Sequence, residues 1–255
     1  MRMRLALAAA GLAIGTLVGA AAAQAASYNL GTDLSSANSP GSPWTVTFNG
    51  GTTLPTVAGV GSNGNALEPA IVGPFFGTGG NLNADVPFVF TAATNGSGAG
   101  LTDNDFLIGD VIIHTPNSGS DVTITWTAPT DGILDNLDFA VWYAHSSVVR
   151  SNDVSLALDG DPGSPHSWVT STILNSNRPG AGGLSGGPLS MSAGDLITLS
   201  LAKTALQSFG SLTGVNLSFD FQAAVTPVPP ALPLFVSALA GLGWFAHRRR
   251  RGHAA

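Results

Sequence analysis

The stretch Asp121–Gly132, DVTITWTAPTDG, decides the fold. Val122, Ile124 and Trp126 alternate with Thr123 and Thr125, which is the period-2 pattern of a half-buried strand. Pro129 and Gly132 then turn the chain. The same pattern recurs on both sides. Trp44, Val46 and Phe48 alternate with Thr45 and Thr47. Val154, Leu156 and Leu158 alternate and run into the turn Asp159-Gly160-Asp161-Pro162. Val215, Leu217, Phe219 and Phe221 alternate with Asn216, Ser218 and Asp220. Leu137–Ala144 places Phe139, Val141 and Tyr143 on one parity and Ala140, Trp142 and Ala144 on the other. With Val86–Thr91, Val111–His114, Trp168–Ile173 and Leu196–Leu201 the count reaches about nine strands. Pro87 cannot donate to a ladder, so an edge position is expected for Val86–Thr91. Gly50–Gly80 and Asn175–Gly187 lack periodicity and read as long surface loops.

No helix is legible between these strands, so a parallel sheet with crossover helices is excluded. The expected fold is all-β: an antiparallel, jelly-roll-like β-sandwich. Composition agrees. Lys and Glu are nearly absent, while Thr, Ser, Val, Asn, Asp and Gly take their place, a mixture that favours strands and turns. There is no cysteine, and a domain near 200 residues buries enough surface to manage without disulfides.

Charge separates the middle from the ends. Residues 27–225 hold all 15 acids, 14 aspartates and Glu68, against Arg150, Arg178 and Lys203. That part counts −12, whereas the whole chain counts −6. Such a domain repels nucleic acid, whose affinity for proteins rests on Lys and Arg. The same charge keeps a sparsely polar surface soluble.

The ends read as addresses. Arg2 and Arg4 precede the apolar, small-residue stretch Leu5–Ala23, and Ala23-Gln24-Ala25 fits a signal-peptide cleavage site. A mature start at Ala26 or Ser27 follows, with Sec-type export machinery and signal peptidase as partners. The C-terminus has three parts. Thr226-Pro227-Val228-Pro229-Pro230-Ala231 is proline-rich, residues 231–246 are apolar, and Arg248, Arg249, Arg250 and Arg251 form a basic stop. The apolar segment is somewhat shorter than the roughly 20 residues of a typical span. The arginines belong on the cytoplasmic side. A buried core helix with a basic tail is the alternative. The expected division is a signal peptide at 1–25, an ectodomain at 26–225 and a tail at 226–255.

This three-part end resembles the PEP-CTERM sorting tails of exported bacterial proteins, and more closely their VPLPA variant. The family pattern V-P-L-P-A-A-L-P-L falls without gaps on Thr226 to Leu234, with Thr226 for Val, Val228 for Leu and Pro230 for Ala. The resemblance implies recognition by an exosortase-type membrane protease. It also implies a membrane-anchored intermediate, followed by delivery to the cell surface or exopolysaccharide matrix of a Gram-negative bacterium. A second resemblance covers about 100 residues. The order W-T-A-P-x-x-G from Trp126, Leu156-Ala-Leu-Asp-Gly160, then Ala193-Gly-Asp-Leu-Ile197 is similar to PEP-CTERM-tailed proteins with jelly-roll domains like those of carbohydrate-binding modules.

Catalytic sets are not legible. There is no thiol and no G-x-S-x-G, and His114, His145 and His166 lack metal spacing. A non-enzymatic surface or matrix protein is therefore expected. The alternatives are a carbohydrate-binding module or adhesin with a glycan ligand and, behind it, a surface glycoside hydrolase. Asp103, Asp105 and Asp110 offer hard oxygen ligands for a structural calcium, as do Asp131, Asp135 and Asp138. Ordinary Asx-turns are the competing reading. Trp168, with Trp142 or Tyr143, is the candidate glycan-stacking surface, because sugar rings pack on exposed aromatic faces.

Overall fold

The computed structural model describes residues 25–61, 65, 67–82, 86–96, 104–145, 150–159, 168–170, 188–224 and 238–242. Residues Gln24–Ala224 form one compact unit. Fourteen strands form among the described residues. They are β1 Ala25–Asn29, β2 Trp44–Phe48, β3 Thr52–Thr53, β4 Thr56–Val57, β5 Phe75–Gly77, β6 Phe88–Thr91 and β7 Val111–His114, followed by β8 Asp121–Thr127, β9 Gly132–Tyr143, β10 Asn152–Leu158, β11 Trp168–Thr170, β12 Leu189–Met191, β13 Leu196–Lys203 and β14 Leu212–Ala223. Each of the nine expected strands is among them. A single helical turn, Leu30–Asp33, is capped by Asn29, whose Oδ1 accepts from Gly31 N at 2.9 Å.

Two antiparallel sheets make the sandwich. One is six-stranded in the order β11-β10-β13-β8-β2-β3. The other is eight-stranded in the order β12-β9-β14-β7-β6-β5-β4, with β1 also on β14. β14 has β9 along one flank. Its other flank is shared by β7, against Leu212–Val215, and β1, against Ser218–Gln222. A bulge between Ser218 and Asp220 sets Asn136 and Leu137 of β9 against Phe219 alone. Asn136 takes a φ of 52° there, and its Nδ2 donates to Asp220 Oδ2 at 2.8 Å. The extra residue switches the buried parity of β9 from Leu134 to Phe139 and Val141.

The inner faces enclose the main core. β8 supplies Val122, Ile124 and Trp126, β13 supplies Ile197, Leu199 and Leu201, and β14 supplies Val215, Leu217, Phe219 and Phe221. Trp126 is ringed by Tyr28, Phe219 and Phe221 at centroid distances of 5.1, 5.0 and 5.2 Å, all edge-on.

A second core lies on the outer face of the eight-stranded sheet. Phe88 and Phe90 of β6, Ile112 of β7 and Trp142 of β9 meet Ala70, Ile71, Phe75, Leu82 and Phe106 there. This overturns three expectations. Gly50–Gly80 is not a surface loop: it carries β3, β4, β5 and the turn Glu68–Ala70, and it covers the sheet. β6 is not an edge strand, because it lies between β5 and β7, and Pro87 precedes it, so no ladder donor is missing. Trp142 and Tyr143 do not present one ring to solvent. They are 2% and 4% exposed, because opposite parities of β9 face two different cores.

Trp142 depends on a glycine. Gly214 sits directly across from it in the β9–β14 register, and a Cβ there would come within 2.2 Å of the indole. The indole N–H donates to Asp105 O at 2.6 Å. Gly214→Ala is expected to destabilise the domain by about 1–3 kcal/mol through overpacking, read as a lower urea midpoint. An unchanged midpoint would show that Trp142 can leave its place over Gly214 without cost.

Candidate functional site

One pole of the sandwich gathers the ends of β7 and β13 and the starts of β10 and β14. The sequence here turns from apolar alternation to Thr115, Ser151, Asn152, Ser211 and Thr213, all of them buried. Buried polar groups persist only when paired, and Asn152 does most of the pairing. Its Oδ1 accepts from Thr115 Oγ1 at 2.8 Å, and its Nδ2 donates to Thr213 Oγ1 at 2.6 Å and Ser211 O at 3.1 Å. Ser211 N donates to Thr115 Oγ1 at 3.0 Å. Asn152 belongs to the six-stranded sheet, whereas Thr213 belongs to the other and Thr115 follows its β7. The cluster therefore bolts the two layers together.

This bolt holds the β13–β14 loop, residues 204–211. Gly210 N donates to Asn117 Oδ1 at 2.8 Å, and a Cβ on Gly210 would run into the Thr115 carbonyl. Arg150 Nη1 donates to Gly210 O at 3.0 Å, and Lys203 Nζ donates to Gln207 O at 2.5 Å. Thr204 Oγ1 donates to Asp153 Oδ1 at 2.9 Å. Between these anchors the loop shows apolar side chains to solvent: Leu206 is 95% exposed and Phe209 is 53% exposed. The Arg150 guanidinium stands 5.0 Å over the Phe209 ring. Among the described side chains, Phe209 is the large exposed aromatic, and Arg150 and Lys203 are the only cations.

His114 lies beside this loop. Its Nδ1–H donates to Thr115 O at 2.8 Å, and its ring stands 5.1 Å from that of Phe88. Burial pushes its pKa down to about 4. The Thr115 hydrogen bond opposes that shift, while Arg150 and His145 reinforce it.

The other candidate residues fall elsewhere. Trp168 opens β11 opposite Leu156, and its side chain lies outside the described residues. Asp110 is buried and its Oδ2 accepts from Leu107 N at 2.6 Å, which is a turn cap. Asp105 lends its carbonyl to Trp142, and Asp103 lies outside the described residues. Asp131 Oδ1 accepts from Ala193 N at 2.9 Å, and Asp135 Oδ1 from Asn136 N at 2.8 Å. No group of three metal-ligating side chains occurs among the described residues. Ala25 begins β1, while Ala23, Thr226 to Ala231 and Arg248 to Arg251 lie outside the described residues. Residues 238–242 are helical, and among the described residues no helix is long and apolar enough to cross a membrane. Reading only Trp and Tyr as sugar platforms passes over Phe209. The signal available for it was an aromatic standing alone in TALQSFG, where alternation has ceased.

No family model matches this chain, and no curated protein does. Solved structures that are similar include the carbohydrate-binding module TmCBM61 in complex with β-1,4-galactotriose. It is 10% identical with a TM-score of 0.29, over 74% of this chain and 92% of that one. Another is the enzymatically active domain of tailspike protein 4 of bacteriophage CBA120. It is 12% identical with a TM-score of 0.29, over 72% of this chain and 20% of that one. Likeness at that score carries nothing over to this chain.

The His114 environment sets a pH dependence. The folded pKa lies below the usual value of about 6.5, so the unfolded chain binds the proton first as pH falls. This contribution is whole above pH 6.5 and is lost as pH falls through about 4, amounting to roughly 3 kcal/mol. Stability measured by urea unfolding from pH 7 to 4 should fall accordingly, and His114→Gln should flatten that slope. Asp121 and Asp220, whose pKa values are lowered, act below this window. A slope unaffected by the substitution would place the proton uptake elsewhere.

Proposed function

We propose that this chain is an exported, non-enzymatic surface or matrix protein whose jelly-roll-like sandwich is presented by its C-terminal sorting tail. The carrying observation is the register of the first and last strands. Ala25 pairs with Gln222, and Ala26 with Phe221, so both ends of the domain leave from one pole. Ala224 N still donates to Asp131 O at 2.8 Å, which keeps the chain on the domain to that point. The proline-rich motif from Thr226 follows directly in the sequence, and the Asn152 cluster lies at the opposite end of β14.

In this reading the signal peptide is removed after Ala25, and β1 of the mature chain begins at Ala26, paired with Phe221. The 231–246 segment spans the membrane transiently, with Arg248–Arg251 holding its cytoplasmic end.

Fractionation of the native host into membrane, surface and medium, with intact-mass reading of the C-terminus, tests this. The expected result is protein outside the membrane fraction, starting at Ala26 or Ser27 and ending near Pro227–Ala231. A full-length tail found only in the membrane fraction would refute sorting and leave a simple C-terminal anchor.

A further inference from the structure

We infer that the 204–211 loop is a contact site for an acidic polysaccharide, with Phe209 as the stacking face and Arg150 and Lys203 as the anion-binding groups. The ligand class follows from three observations on one loop. Phe209 offers a half-exposed ring, the kind of flat apolar surface on which the C–H face of a pyranose packs. Arg150 lies over that ring, and only one of its five N–H donors is engaged by Gly210 O among the contacts of the described residues, so the remaining fork can address a sugar carboxylate. Lys203 is the direct cross-strand partner of Asn152 on the same anchored pole and adds a second positive charge.

Charge complementarity selects an acidic chain over a neutral one. In a domain that counts −12, the two described cations both bind this loop. Asp121 and Asp153 stand on the same pole and keep their charge; Asp121 accepts from Gly50 N and Thr123 Oγ1 and Asp153 from Thr204 Oγ1, and among the contacts of the described residues neither is an ion-pair partner of Arg150 or Lys203. More distant acids are screened beyond roughly 8 Å at physiological ionic strength. Rigidity favours a binding role as well. The Asn152 cluster and the Gly210 contacts fix one end of the loop and Thr204, on Asp153 and Ser151 O, fixes the other, so little ordering entropy is lost when a ligand arrives. Leu206, at the turn closed by Gln207 N on Thr204 O, extends the apolar surface.

The inference rests on the presentation reading only for delivery of the domain outside the cell, and binding is measured independently of it. The test is affinity electrophoresis of the protein as recovered from its host, through gels containing polygalacturonate, or fully methyl-esterified polygalacturonate of the same backbone without its charge. Retardation by the charged polymer alone, weakened by added salt, is expected. Phe209→Ala and Arg150→Gln should each weaken it about tenfold or more. Because Arg150 also holds Gly210, melting curves accompany both variants. Phe209 is exposed, so its variant should melt as the parent does, and its loss of retardation stands alone. Equal retardation by both polymers, retention of binding in Phe209→Ala, or no retardation would each overturn the inference. So would a Phe209→Ala change in sedimentation coefficient without a change in retardation, since the loop would then be a contact between copies. Failure here leaves host fractionation unaffected, and a tail that stays uncut leaves the gel result unaffected.

Discussion

Strand β14 has three neighbours on two flanks, and its side chains divide between two cores. Its odd positions, Val215 to Phe221, close the inside of the sandwich. Its even positions begin with Leu212 and Gly214 under the outer layer, and Gly214 is the vacancy that Trp142 fills. Every other part of the fold is placed by reference to it. β9 aligns along its length, β7 brings in β6 and β5, and β1 completes the flank that β7 leaves open. Its head begins at the polar bolt around Asn152, and its end leads into the tail.

That arrangement gives the domain two unlike poles. At one, backbone pairing of β1 with β14 brings the ends together, and Tyr28 packs against both Trp126 and Phe219. The residue next after the expected signal cleavage is therefore already part of the folded sheet. At the other pole, hydrogen bonds rather than apolar contacts join the layers. Buried amides and hydroxyls fix geometry more tightly than they add stability, since each must meet its partner at a set distance and angle. A loop held in this way can keep an apolar tip in solvent without collapsing onto the domain.

Much of the fold was legible in the chain. Alternation in DVTITWT, VSLAL and VNLSFDF located strands whose one face meets the core, because a period of two is the direct record of one buried face. What was not legible came from a single physical circumstance, the burial of both faces of part of the second sheet, around β5, β6, β7 and the adjoining ends of β9 and β14. Where both faces are covered, alternation disappears and parity ceases to tell inside from outside. That is why Trp142 and Tyr143 are both buried, why β6 is central although Pro87 stands before it, and why the Gly-rich stretch after Gly50 is a cover. The aspartates were legible as turn residues, and Asp110 and Asp195 serve as such. Phe209 carried only a weak signal, a lone aromatic where alternation has ceased, and that pattern does not state which rings a tertiary fold leaves uncovered.

The sequence by itself determined nine of the strands, the antiparallel class and the acidity of the middle. All of these are local or additive properties: the period of a pattern and the sum of charges. The tertiary structure alone decided which strands became neighbours, that a second core covers the outer sheet, that Ala25 lies against Gln222, and that the two described cations meet on one loop with an exposed phenylalanine. Those facts depend on contacts between residues far apart in the chain, and no local pattern encodes the partner that a residue will find across a sheet.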